Sequence, residues 1–229
     1  MTWKLLAGAA LITGVAASSL GWLTRSPMNA DVREQPSHDT LVSAVDMQVS
    51  RAAHTATTLS DSRVLVAGGF IERESSKGAE VYQPGTGRFA PLPPMVTARH
   101  SHTATLLPEG QVLITGGADN QDDLGVYNST ELFDPKTGMF VAGPAMKLGR
   151  YKHKSSSVLL PSGLLLISGG APQAETYDAA SRSFALVPGE PRMAGQFSAV
   201  ALLRGGGVLI TGGYGNGTGP RSSAWLYRP

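Results

Sequence analysis

RHSHTATLLPEGQVLITGG, residues 99–117, is followed at residues 129–146 by STELFDPKTGMFVAGPAM. Four strand-length pieces are legible in it. His102–Leu107 and Gln111–Thr115 flank Pro-Glu-Gly, and Ser129–Phe133 and Met139–Ala142 flank Asp-Pro-Lys-Thr-Gly. Both connectors are tight-turn chemistry, with glycine supplying positive φ. Short hairpins join antiparallel strands, so the stretch predicts one four-stranded antiparallel sheet.

The pattern recurs. Glycine pairs stand at Gly68-Gly69, Gly116-Gly117, Gly169-Gly170 and Gly212-Gly213, in steps of 48, 53 and 43 residues. The first repeat reads HTATTLSDSRVLVAGG from His54 and AEVYQPGTGRF from Ala79. The third reads SSSVLLPSGLLLISGG from Ser155 and AETYDAASRSF from Ala174, with two extra residues ahead of its glycine pair. The fourth reads SAVALLRGGGVLITGG from Ser198 and AWLYRP from Ala224. A lone sheet of this kind cannot bury both faces, so neighbouring repeats must stack on it.

Residues 40–47 align with 88–95, the last strand of a repeat and its linker; Leu41 takes the place of Phe89 and Met47 that of Met95. The fourth repeat has no such strand after its AWLYRP. The expectation is a β-propeller of four four-stranded antiparallel blades, the last closed by the N-terminal strand. Closure would remove two open sheet edges. The repeats run over about 51–98, 99–149, 150–194 and 195–229 within a propeller of 40–229.

The co-occurrence, in order, of glycine pair, aromatic third strand and Asp-Pro-x-Thr-Gly-x-Phe turn resembles kelch-repeat proteins, especially the bacterial exported type. The likeness extends over about residues 40–229. It implies an all-β kelch propeller, and it implies a function only loosely. Kelch propellers include protein-binding adaptors, glycan-associated surface proteins, and enzymes such as galactose oxidases and sialic acid mutarotases. A galactose oxidase radical site needs a cysteine, and this chain has none. Lys154-Ser155 and Phe197-Ser198 depart from the His-Thr start of the first two repeats.

Composition narrows the field. In 229 residues, charged side chains make up 16% and the formal net charge is +2, so there is no basic stripe for nucleic acid. The lack of cysteine excludes disulfides, thiolate metal sites and cysteine nucleophiles. Ahead of the repeats, Lys4 precedes an apolar run over 5–23 and Arg25 follows. Residues 1–25 read as a signal peptide, with Val15-Ala16-Ala17 at the cleavage positions, or as a retained membrane tether. Polar residues 26–39 read as a linker. Either way the propeller is expected outside the cytoplasm: periplasmic, secreted or membrane-anchored.

Met-x-x-x-Arg precedes three repeats, at Met47–Arg51, Met95–Arg99 and Met146–Arg150, and His54, His102 and His153 follow three residues after each arginine. By the resemblance, these linkers open near a central channel where Arg51, Arg99 and Arg150, with His54 and His102, help bind acidic or polar ligands. A second reading pairs the arginines with Glu80, Glu131 and Glu175. The fourth repeat lacks both residue types, with Gly195 and Trp225 in their places, and an unpaired buried charge is costly. The recurring Tyr82, Phe133, Tyr177, Tyr227, Phe89, Phe140 and Phe184 are expected in the inter-blade core. The histidines have no acidic partners to complete a metal ring. The glycine pairs open no helix that would bind phosphate. Asp119-Asn120-Gln121-Asp122-Asp123 lacks the glycine and terminal glutamate of a calcium loop. No nucleophile elbow, His-Glu-x-x-His or phosphate-loop lysine occurs.

No cofactor, metal or catalytic residue is therefore expected. The sequence predicts an exported binding module for a protein or glycan, recognised through loops at a central mouth. A small sugar-active enzyme resembling the mutarotases, or a fragment acting in an assembly, are the alternatives.

Overall fold

The computed structural model describes residues 43–120, 125–189, 195–215 and 219–229. The signal or anchor segment 1–25, the linker 26–39, and Gln121-Asp122-Asp123 lie outside them. Among the described residues every regular element is a strand.

The first sheet contains β1 (Thr55–Thr58), β2 (Val64–Ala67), β5 (Ala79–Gln83) and β6 (Arg88–Leu92) in that order; a small hairpin, β3 (Phe70–Ile71) and β4 (Glu74–Ser75), leaves it after the glycine pair. The second has β7 (Thr103–Leu106), β8 (Val112–Thr115), β9 (Thr130–Asp134) and β10 (Met139–Ala142). The third has β11 (Ser157–Leu159), β12 (Leu165–Ile167), β13 (Glu175–Asp178) and β14 (Ser183–Leu186). The fourth has β15 (Ala199–Leu202) and β16 (Val208–Thr211), the hairpin β17 (Tyr214–Gly215) and β18 (Gly219–Pro220), then β19 (Ala224–Tyr227) paired to β16. Every pairing is antiparallel, as the turns require.

The fourth sheet departs from the expected four strands. Ser43–Met47 forms no strand, residues 40–42 lie outside the described residues, and β15-β16-β19 is three-stranded.

Stacking follows from side-chain alternation. In β8, Val112 and Ile114 point toward the first sheet and cluster with Leu65, Ala67, Val81, Phe133 and Phe140. Leu113 points the other way and joins Leu132 against Leu165, Ile167, Tyr177 and Phe184 of the third sheet. Leu166 then meets Val208 and Ile210 of the fourth, with Trp225 and Tyr227 packed on them. A middle blade is buried on both faces, so its second strand is a continuous apolar run. Met95 and Met146, both 2% exposed, plug the seams between sheets one and two and between two and three. The aromatic pairs Tyr82–Phe89, Phe133–Phe140 and Tyr177–Phe184 lie opposite in register, with centroids 5.0, 4.8 and 4.7 Å apart. The fourth sheet buries one face only: Leu209 and Leu226, cross-strand neighbours, are 37% and 46% exposed.

The glycine pairs make the seams. A Cβ on Gly68 (φ +63) would stand 2.6 Å from the Arg99 carbonyl oxygen and 2.7 Å from His102 Cε1, both in the next blade. The second glycine faces its own blade and donates its N–H across the seam: Gly69 to the Arg99 carbonyl, Gly117 to that of Arg150, and Gly170 to that of Gly195. Gly195 thus stands where the other repeats have arginine.

Candidate functional site

Each linker arginine folds back into its own blade. The Arg99 guanidinium is fully buried and donates from Nη1 to the carbonyls of Gly116 (2.6 Å) and Ser129 (3.2 Å), and from Nη2 to Ser129 Oγ and to Glu131 Oε1 at 3.0 Å. It lies 5.3 Å from the Tyr127 ring centroid. Glu131 also accepts the backbone N–H groups of Val96 (2.8 Å) and Thr97 (2.9 Å), which fastens the linker to the third strand. Arg150 repeats this with Gly169, Gln173 and Glu175, while Glu175 takes the N–H groups of Lys147 and Leu148. Arg51 does so with Gly68, Gly78 and Glu80, and Glu80 takes the N–H of Gln48. Burial lowers the pKa of Arg99 and Arg150, and the facing carboxylates Glu131 and Glu175 act against that shift.

The histidines occupy the seams. His102 Nε2 meets Thr55 Oγ1 of the preceding blade at 2.9 Å, and His153 Nε2 meets Thr115 Oγ1 at 3.1 Å. Burial, with the adjacent arginine second, holds both rings below the usual imidazole range: His102 well below it, and His153 down to about 3. His54, half-buried, is shifted the same way by burial and by Arg51. His153 lies out of sequence register yet takes the place of His102. The two extra residues of the third repeat are absorbed in a turn after it, where Ser155 has φ 68 and Ser156 donates to the His153 carbonyl.

The guanidinium groups and the His102 and His153 imidazoles are thus enclosed within and between blades, while His54 is half-buried. A different set of side chains faces outward at the strand starts. Two residues after each arginine position stand Ala53, Ser101, Lys152 and Phe197, all left-handed, at φ 52, 53, 52 and 59. They form a strap: Ser101 N–H donates to the Ala53 carbonyl (2.9 Å), Lys152 to Ser101 (3.1 Å), and Phe197 to Lys152 (2.8 Å). A bulky residue with φ above zero is uncommon and directs attention to function.

Side chains beside the strap form a stripe across the blades. Phe70 stacks on His100 with centroids 3.8 Å apart, and His100 meets Tyr151 edge-on at 5.6 Å. Lys152 Nζ lies 4.4 Å from the Tyr151 centroid and 5.9 Å from that of Phe197. Phe197 and Tyr214 stand 6.0 Å apart at 76°. His100 and Tyr151 are buried and form a floor, whereas Phe197 is 60% and Tyr214 49% exposed. Among the described residues no carboxylate pairs with Lys152. This surface offers apolar ring faces next to a free cation.

Sequence reading missed this stripe because it sought what repeats, and these positions do not. The available signal was the departure at Lys154-Ser155 and Phe197-Ser198, together with the changing residue two places after each arginine.

Stacked antiparallel sheets joined through glycine seams fit the blades of a β-propeller. A model of the kelch motif matches residues 51–96, from the first linker arginine to the residue after Met95, and that match with these sheets fits a kelch-repeat β-propeller protein. Kelch repeats generally mediate protein binding. No curated protein matches the chain.

Proposed function

We propose that the chain is an exported kelch-repeat binding module that engages a protein or glycan ligand through the strap side of its blades. Residues 1–25 would serve as signal peptide or membrane tether. The observation that carries the binding site is the exposed Phe197–Tyr214 pair beside unpaired Lys152, set on a strap of hydrogen-bonded left-handed residues. Export rests on the apolar run 5–23 between Lys4 and Arg25. The buried arginines and histidines are assigned to holding the blades, because their polar partners are internal.

The test is lysine acylation of the folded chain, read by mass spectrometry, with and without panels of glycans and peptides. A ligand that binds through the strap protects Lys152 while leaving Lys136, at a distant turn, reactive. Ligands that bind tightly without protecting Lys152 would refute this location. Export is checked by protease accessibility of the tagged full-length chain in intact and permeabilised cells.

A further inference from the structure

We infer that the ligand of the strap is a carbohydrate bearing a carboxylate, held with one sugar ring stacked on the exposed Phe197–Tyr214 pair and its carboxylate on Lys152 Nζ. This rests on the binding reading above and names its ligand class.

Shape comes first. Two exposed rings with centroids 6.0 Å apart at 76° form an edge-to-face pair that keeps aromatic surface open to solvent. A saturated six-membered ring stacks on such an exposed aromatic face through its axial C–H groups. Aromatic faces attract such polarised C–H groups through their negative quadrupole.

Charge comes second. Lys152 Nζ lies 5.9 Å from the Phe197 centroid, so an anion on a ring seated over Phe197 falls within reach of the ammonium. The cation is already held by the Tyr151 ring at 4.4 Å, which reduces the entropy lost on binding. Among the described residues Lys152 has no carboxylate partner, so one cation beside one aromatic pair matches one negative charge per ring. An acidic peptide would present several carboxylates, whereas the exposed stripe members beside Lys152, Phe197 and Tyr214, offer ring faces rather than further cations.

Rigidity comes third. Phe197 and Lys152 are adjacent members of the strap, joined by the 2.8 Å bond from Phe197 N–H to the Lys152 carbonyl. Their left-handed backbone fixes where both side chains leave the surface, so ring and cation are presented at a set spacing before any ligand arrives.

The experiment is titration calorimetry of the full chain with trigalacturonate, with its fully methyl-esterified form, and with a hexaglutamate peptide. Lys152→Gln and Phe197→Gly are measured beside the parent. Glycine suits the backbone at φ 59, so Phe197→Gly removes the ring without straining the strap, and an unchanged melting temperature verifies that. The expected result is binding of trigalacturonate at least tenfold tighter than of its ester. Lys152→Gln should abolish that difference, and Phe197→Gly should weaken both forms about tenfold or more. Absence of trigalacturonate binding, or an acid preference that survives Lys152→Gln, overturns the assignment. If the peptide or another ligand protects Lys152 from acylation while trigalacturonate does not bind, the glycan assignment falls and the binding module stands. If no ligand protects Lys152, both fall.

Discussion

Glu131→Ala tests whether the linker arginines are fasteners of the blades. Glu131 is 1% exposed and receives three donors: Arg99 Nη2 at 3.0 Å and the N–H groups of Val96 and Thr97 at 2.8 and 2.9 Å. Removing the carboxylate leaves a guanidinium with no exposure beside an empty space, and its remaining acceptors are neutral. Breaking a buried pair from one side costs about 3–5 kcal/mol. A domain of this size shifts by roughly 2–4 °C per kcal/mol, so the melting temperature should fall by about 6–20 °C. The assay is thermal unfolding by circular dichroism, with urea titration for the free energy. Glu131→Ala, Arg99→Met and the double variant together form a cycle. Residues sharing a network couple, so the interaction term should be about 1.5–3 kcal/mol. A loss below about 1 kcal/mol for Glu131→Ala, or additive single effects, would refute the fastening role.

Acid should destabilise the propeller through its seam histidines. His153 has a folded-state pKa of about 3 against 6.5 in the unfolded chain, so the unfolded chain binds the proton first. The penalty is absent above pH 6.5 and grows as pH falls toward 3, reaching about 2 kcal/mol at pH 5 from this ring alone. Urea titrations of the parent and His153→Gln between pH 7 and 5 should therefore converge as pH falls; parallel curves would refute the assignment. Gly68→Ala should cost about 2–4 kcal/mol, because its Cβ meets the Arg99 carbonyl and His102 in the next blade. Gly87→Ala, also at positive φ but with open space, should cost about 1 kcal/mol. Equal losses in thermal unfolding would show that the seam is not tight. Leu209→Lys, on the open face of the fourth sheet, should change stability by less than about 0.5 kcal/mol. A loss of several kcal/mol would mean that this face is covered in solution.

The strands were legible because turn chemistry and alternation are local. Val112–Thr115 and Met139–Ala142 were read to within one residue of their ends, and Glu131 was paired with Arg99 from their joint absence in the fourth repeat. His153 was harder. A two-residue insertion displaces it along the chain, but a turn at Ser155 returns its ring to the same seam, and only coordinates reveal that. Closure of the fourth sheet turns on residues 40–42, which lie outside the described residues. Among the described residues Ser43–Met47 forms no strand and β15-β16-β19 is three-stranded.

The outward stripe was hidden for a reason that bears on function. In a repeat protein, positions that face a neighbouring blade meet nearly the same surroundings in every repeat, so packing drives them toward the same residues. Gly68, Gly116 and Gly169 obey this rule, as do Arg51, Arg99 and Arg150 with their glutamates. The strap obeys it only in its backbone. Its four members share φ values of 52–59 and the same N–H to carbonyl bonds, while their side chains are a methyl, a hydroxyl, an ammonium and a phenyl ring. A conserved backbone device carrying four unrelated side chains is not explained by packing, which would select one residue suited to positive φ at every copy. The bulkier two, Lys152 and Phe197, retain a conformation that asparagine or glycine would take with less strain. Something other than blade stability must favour them there, and contact with a ligand is the reading under which a lysine and an exposed phenylalanine side by side make chemical sense.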